Sequence, residues 1–382
     1  MMGENMGRIQ SNIEEISWEL DEDYSDDSLF NIASWGADLS FRELCSMYDE
    51  DELAKPELQR NYVWNRAEAS KFVESILLGL PVPSIFLAQN GSQKLIVDGF
   101  QRIMTVYFYI YNKPFPADQK PFKLVDSEKI NVRWRNKAFC ELSSDDQRRI
   151  KSSTIHAIIF EQKNPKNDDT SLYQIFERIN TGGRTLTPQE IRNCVYQGKF
   201  NSLLFQINEN PIWRELFGTN KADSRMRDME YILRFFAIKE LFDNGLGNSK
   251  TGQISLKKTL NDFMQKHRSD DDEKIGDFRE EFEETIEFVY DYLGINAFRN
   301  YRGKFTKKFH PAIFDAVMVA ASSCKNGQGK KGLEIDSVEE RHVRLLEDAE
   351  FQKDISQRTT DIESIEGRIS CAMNILFGVR SK

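Results

Sequence analysis

Residues 83–102 read PSIFLAQNGSQKLIVDGFQR. Two short β-rich runs flank Asn90-Gly91, the dipeptide that most strongly signals a tight hairpin, because both residues tolerate the positive φ such turns need. A second break, Asp98-Gly99, turns the chain into a segment that carries Ile103, Val106, Tyr107, Ile110 and Tyr111 at helical spacing. A hairpin that runs straight into an amphipathic helix predicts a sheet with helices laid against it, and the neighbouring residues extend that pattern in both directions.

Upstream, LFNIASWGADLSFRELCSMYDEDELA reads as a short strand or extended entry followed by a helix that Ser40 caps, with Glu43 three residues on. A further helix begins after Asn65, where Glu68 completes a capping box. Phe72, Val73, Ile76 and Leu77 form its apolar stripe, and Gly79 and Pro81 end it. Downstream, KINVRWRN (129–136) and STIHAIIFEQ (153–162) are expected as strands on either side of a polar helix around DDQRRI. From Thr170 onward the 3.6-residue period dominates, in segments that include DMEYILRFFAIKELF, FREEFEETIEFVYDYL, VEERHVRLLEDAEF and ESIEGRISCAMNILF. The expected fold class is therefore α+β. An acidic, disordered tail (1–28) precedes a small mixed β-sheet domain (29–165), and a mainly α-helical domain (166–382) follows.

The chain has 382 residues, enough for one large or two ordinary domains, and its 40% apolar content can fill a sizeable core. Five cysteines stand far apart with no CxxC pair, a usage expected of reduced thiols in the cytoplasm. No basic-then-apolar leader and no run of about 18 apolar residues is present, so neither export nor membrane spanning is expected. A net charge of −9 argues against sequence-independent coating of DNA, although it leaves room for a local phosphate site. The four histidines show neither HExxH nor a compact HNH nuclease spacing, and GxxxxGK[ST] and GxSxG are both absent.

Three stretches can carry chemistry. In DGFQR (98–102), Gly99 permits a tight turn and close approach to a helix start, whose unpaired N–H groups favour anions. Arg102 can add a bidentate phosphate contact, Gln101 can orient a water, and Asp98 can hold a metal ion or accept a proton. In LQRNYVW (58–64), Gln59 and Arg60 offer donors beside Tyr62 and Trp64, a set that suits either a nucleotide clamp or a core plug tied down by an ion pair. In FERINTGGRTLTPQEIRN (176–193), Thr187, Pro188 and Glu190 are complete helix punctuation. That leaves Asn180, Gly182 and Gly183 as a helix C-cap or as a loop that lets a ligand approach the backbone. Taken one at a time, these residues leave the structural and functional readings open.

In this order and spacing the three stretches closely resemble domain-of-unknown-function family 262, the N-terminal part of GmrSD-type restriction systems. The likeness continues into SRMRDMEYILRFFAI and LKKTLNDFM. The resemblance implies a ParB/sulfiredoxin-like nucleotide-binding fold in which an Asp-Gly-Gln-Gln-Arg turn binds nucleotide phosphates. It further implies nucleotide hydrolysis and defence against phage, often by sensing modified DNA. The role expected on that basis is an NTP-binding bacterial defence component that switches a separate effector such as a nuclease subunit, or assembles as a homo-oligomer, with Mg²⁺ as a further cofactor. Asp98, Gly99, Gln101 and Arg102 match the turn, Gln59 and Arg60 an upstream Gln-Arg pair, and Asn180, Gly182 and Gly183 a downstream loop. Phe100 stands where the family has its first glutamine, which puts hydrolysis in question while leaving nucleotide binding, with Phe100 packed inward or stacked on a base. The alternative is a non-catalytic ParB-like module that binds DNA or a protein. The basic stretches YRGKFTKKF (301–309) and KNGQGKK (325–331) suit it, although both also read as solvated loops.

Overall fold

The computed structural model describes residues 12–14, 31–54, 62–164, 170–179, 186–245, 252, 254–327 and 338–379. The chain divides into two compact units, Asp27–Val195 and Met1–Asp26 together with Tyr196–Lys382. The division falls after the helix that begins at Pro188, some thirty residues beyond the boundary near 165 suggested by the change in period, so two helices join the sheet-bearing unit.

The first unit is built on a five-stranded mixed sheet of β1 (Asn31–Ser40), β2 (Leu53–Ala54), β3 (Ile85–Asn90), β4 (Gln93–Asp98) and β5 (Thr154–Asn164), in the order β1-β5-β3-β4-β2. The hairpin forms where the sequence places it: β3 and β4 pair antiparallel, Asn90 opposite Gln93, with Gly91 at φ 60 in the turn. β5 then inserts between β3, which it meets in parallel, and β1, which it meets antiparallel. That insertion makes the sheet mixed. Helices α1 (Phe41–Asp49), α2 (Arg66–Leu78), α3 (Phe100–Ile110) and α4 (Ser144–Ser152) pack with one another, and Leu44, Phe72, Val73, Ile76, Ile103 and Val106 from them join Leu87 and Ile96 of the sheet in one buried cluster. Ser40 and Asn65 cap α1 and α2 as expected, the latter through a complete capping box, and left-handed Gly79 closes α2. α5 (Thr170–Ile179) and α6 (Pro188–Val195) complete the unit, and Thr187 and Glu190 bond reciprocally at the start of α6.

KINVRWRN, expected as a strand, forms successive turns instead. Ile130 N–H bonds Ser127 O at 3.0 Å, Trp134 N–H bonds Asn131 O at 3.0 Å, and Asn136 sits at φ 56. The physical reason is the spacing of its anchors: Ile130 and Trp134 are buried while Val132 is 78% exposed, a pattern of one anchor every four residues where a strand would bury every second.

The second unit is mainly helical: α7 (Lys199–Asn208), α8 (Pro211–Phe217), α9 (Arg227–Asp243), α10 (Leu256–His267), α11 (Asp272–Leu293), α12 (Pro311–Gly327), α13 (Val338–Glu347), α14 (Ala349–Ser356) and α15 (Ile362–Phe377). VEERHVRLLEDAEF is two helices, because Asp348 turns extended and caps α14 through its bond to Phe351 N–H. YRGKFTKKF is an antiparallel hairpin, β6 (Arg299–Tyr301) with β7 (Phe305–Phe309), and not a loop. Part of the stretch expected as a disordered tail is seated beside it: Ile13 is buried and bridges Phe309 in parallel. The rest of that stretch lies outside the described residues. Among the described residues no helix is long and apolar enough to cross a membrane.

Candidate functional site

β4 delivers Asp98 to the end of the sheet, and Gly99 reverses the chain into α3 at φ 107, ψ 2. Only glycine fits here: a Cβ would lie 2.3 Å from Ile85 Cγ2, and the backbone is in the left-handed region. The first helical bond runs from Ile103 N–H to Gly99 O at 3.0 Å, and no side chain caps the helix start.

Arg102 lies one turn along. Its Nη2 donates to Asp98 Oδ2 at 2.5 Å, while Nη1 donates to Pro83 O at 2.8 Å and to Ser84 O. The arginine side chain is 13% exposed and that of Asp98 is 36% exposed. The guanidinium expected to clasp phosphate is therefore already committed to the chain. It straps the segment before β3 to the turn and fixes the Asp98 carboxylate, which remains the more accessible member of the pair.

Gln101 is buried. Its Oε1 accepts from Val63 N–H at 3.0 Å and Trp64 N–H at 3.4 Å, and its backbone O accepts from Thr105 Oγ1 at 2.6 Å. Thr105 Oγ1 also meets the Tyr62 hydroxyl at 2.7 Å. Burial pushes the Tyr62 phenol up to about 12, so it stays protonated and serves that bond. Tyr62 packs edge-on against Phe108 and Phe115, and Trp64 against Phe72. The aromatics of LQRNYVW are thus core plugs, and Gln101 pins their backbone to α3. Gln101 Nε2 is buried with no hydrogen-bond partner. Polar residues at 101 and 105, four apart on one face of the helix, were the signal for this tether.

Phe100 packs inward, 8% exposed, within the core cluster. Gln59 and Arg60, like Asn180, Gly182 and Gly183, lie outside the described residues. On α6 the side chains of Gln189, Arg192 and Asn193 are buried and joined in a row: Arg192 Nη1 donates to Gln189 Oε1 at 3.1 Å, and Gln189 Nε2 to Asn193 Oδ1 at 3.0 Å. Helix punctuation accounted for the start of α6 and missed this row, although the spacing of 189, 192 and 193 puts all three on one face.

Among the described residues no three His, Cys, Asp or Glu side chains gather to hold a metal ion. A magnesium ion that arrived with phosphates would keep several waters and take one or two carboxylates, and Asp98 is the carboxylate at the turn that would hold it. The arrangement is thus a helix start without a side-chain cap, a glycine that lets Ile85 pack against the turn, and a carboxylate fixed by an arginine strap.

Residues 41–197 match the family described as "GmrSD restriction endonuclease, N-terminal domain". That stretch contains the Asp98–Arg102 turn and both polar stretches that flank it in sequence, and it ends within two residues of the boundary between the units. No curated protein matches the chain.

Proposed function

Because residues 41–197 form a GmrSD N-terminal-like domain, which points to a component of a GmrSD-type restriction or defence system, we propose that this chain binds a nucleoside triphosphate at the start of α3 and uses it to regulate a separate effector. The observation that supports the reading is the start of α3, which no side chain caps, beside an Asp98 carboxylate that stays 36% exposed. Phosphate oxygens sit on backbone N–H groups of the first turn. Asp98, held by Arg102, would be the residue to hold a magnesium ion that accompanies the phosphates. Gln101 is a positioning residue, since it holds the backbone of residues 63 and 64 and so the end of the segment that carries Gln59 and Arg60. Hydrolysis would require a water aligned with the terminal phosphate, and magnesium supplies charge neutralisation there. This chain's part is to place the phosphates and keep the carboxylate oriented.

Calorimetric titration with each of the four NTPs in the presence of Mg²⁺, paired with phosphate release, tests the reading. Wild type is expected to bind at least one NTP. Asp98→Asn should retain binding and lose the magnesium dependence together with at least tenfold in phosphate release. No binding of any NTP by wild type would remove the proposal.

One observation favours a second reading, a module that binds without turnover. Phe100 is in the core, so the position at which the family has a glutamine presents no polar group to the turn. Nucleotide binding without phosphate release would select it.

A further inference from the structure

The β6–β7 hairpin lies in the second unit, outside the matched domain, and carries a row of cations. Arg302 N–H bonds Lys304 O at 3.0 Å and Gly303 takes φ 72, so a tight turn presents Arg302 and Lys304 at the tip. Lys304, Lys307 and Lys308 are all exposed. Consecutive strand residues face opposite ways, so Lys307 and Lys308 put positive charge on both faces of the ribbon. Tyr301 and Phe305, half-buried, meet edge to face at 5.3 Å and stiffen it. In a chain of net charge −9 this is a concentrated local exception.

The chain's own acid already occupies one of these cations. Phe309 N–H donates to Asn12 O and Glu14 N–H donates to Phe309 O, each at 2.8 Å, and Asn12 Nδ2 donates to Phe217 O at 3.1 Å. This pairing holds Glu14 Oε1 2.9 Å from Arg302 Nη2. The other carboxylate oxygen, Oε2, is buried without a hydrogen-bond partner, so the contact is under-satisfied.

We propose that the β6–β7 hairpin is a contact for the phosphate backbone of duplex nucleic acid, and that Glu14 is an intramolecular competitor for Arg302. One side of the hairpin is seated, since Phe305 lies 5.3 Å from the buried His342 ring and β7 bridges Ile13, so the tip and the exposed Lys307 and Lys308 carry the contact. Lysine and arginine contacts to phosphates supply most of sequence-independent duplex binding. Phosphate oxygens displace the half-satisfied carboxylate of Glu14 from Arg302. The inference does not rest on the nucleotide site.

Fluorescence anisotropy with a labelled DNA duplex, over a series of salt concentrations, tests it on the full chain. Lys304→Gln/Lys307→Gln/Lys308→Gln is expected to weaken binding at least tenfold and to flatten the slope of log K against log salt by about 2.7, three contacts at roughly 0.9 each. Lys113→Gln/Lys120→Gln/Lys129→Gln, which makes the same charge change on exposed residues of the first unit, should leave both unchanged. Glu14→Gln should tighten binding several-fold. Thermal melts confirm that each variant is folded. No duplex binding by wild type, an equal loss in both lysine triples, or competition by polyglutamate as strong as by DNA of equal charge would overturn the proposal.

Discussion

Two residues show how a side chain's role depends on where the fold puts it. Phe100 departs from the family pattern, and the obvious restoration, Phe100→Gln, is not a clean test of catalysis. The ring is buried, so the substitution removes apolar packing and puts an amide in the core. It should cost about 2–4 kcal/mol in urea unfolding, and stability within 0.5 kcal/mol of wild type would contradict the inward placement. The second residue is Asp315, wholly buried on α12. Arg234 donates to it through Nε at 3.2 Å and through Nη2, and Arg368 Nη2 lies 3.6 Å away. Burial lowers the Arg368 guanidinium to about 10, still charged at neutral pH. Removing the carboxylate therefore strands buried cations. Asp315→Asn should cost roughly 3–5 kcal/mol, read by chemical denaturation, while replacing Asp315 and Arg234 together by apolar residues should recover part of it. A full, additive loss in the double variant would contradict a shared pair. A carboxylate in HPAIFDAV gives no sign in the sequence that it will be buried between two arginines, because its partners come from α9 and α15.

At the level of elements, local chemistry was legible wherever it is completed within a few residues. Asn65 Oδ1 accepts from Ala67 and Glu68 N–H at 2.9 and 3.0 Å, and Glu68 Oε2 accepts from Asn65 N–H at 2.8 Å. Asn65→Ala should lower stability by about 1 kcal/mol, a shift in urea midpoint without a change in slope. No shift would mean that water caps α2 equally well. The β3–β4 hairpin and the caps of α1 and α6 were readable for the same reason. Elements that answer to distant partners were not. The expected strand at 129–136 is a set of turns because Ile130 and Trp134 are drawn inward together. The β6–β7 hairpin looked like a basic loop because its two short strands carry too little alternation to signal themselves. At the candidate site the glycine turn was legible, whereas the use of Arg102 as a strap was not, because Pro83 O and Ser84 O approach it only once β3 lies beside β4.

For the whole molecule, acid sensitivity is built into the helical unit. Burial, with Arg368 and Arg302 nearby, pushes His310 down to about 3, and its Nδ1 accepts from Ile313 N–H at the start of α12, a bond only the unprotonated nitrogen can make. Burial likewise pushes His342 down to about 4, partly offset by a backbone bond to Ala297. Both imidazoles are neutral when folded and take up a proton below about 6.5 when unfolded. The unfolded chain thus binds more protons, and stability falls as pH drops through 6.5 toward those lower values, by about 1.4 kcal/mol per pH unit for each histidine. Calorimetry should show the helical unit melting at lower temperature at pH 5 than at pH 7, with the difference reduced in His310→Gln/His342→Gln. An unreduced difference would place the sensitivity elsewhere. By itself the sequence determined the hairpin, the principal caps, the glycine turn at Asp98-Gly99 and the passage from mixed sheet to helices, since each follows from backbone preference and from periods of two or 3.6 within one segment. Only the tertiary structure decided the insertion of β5 between β1 and β3, the commitment of Arg102 to carbonyls, the tether from Gln101 to residues 63 and 64, and the seat of Glu14 on Arg302. Those depend on which distant groups are brought within hydrogen-bond reach, and no local preference encodes that.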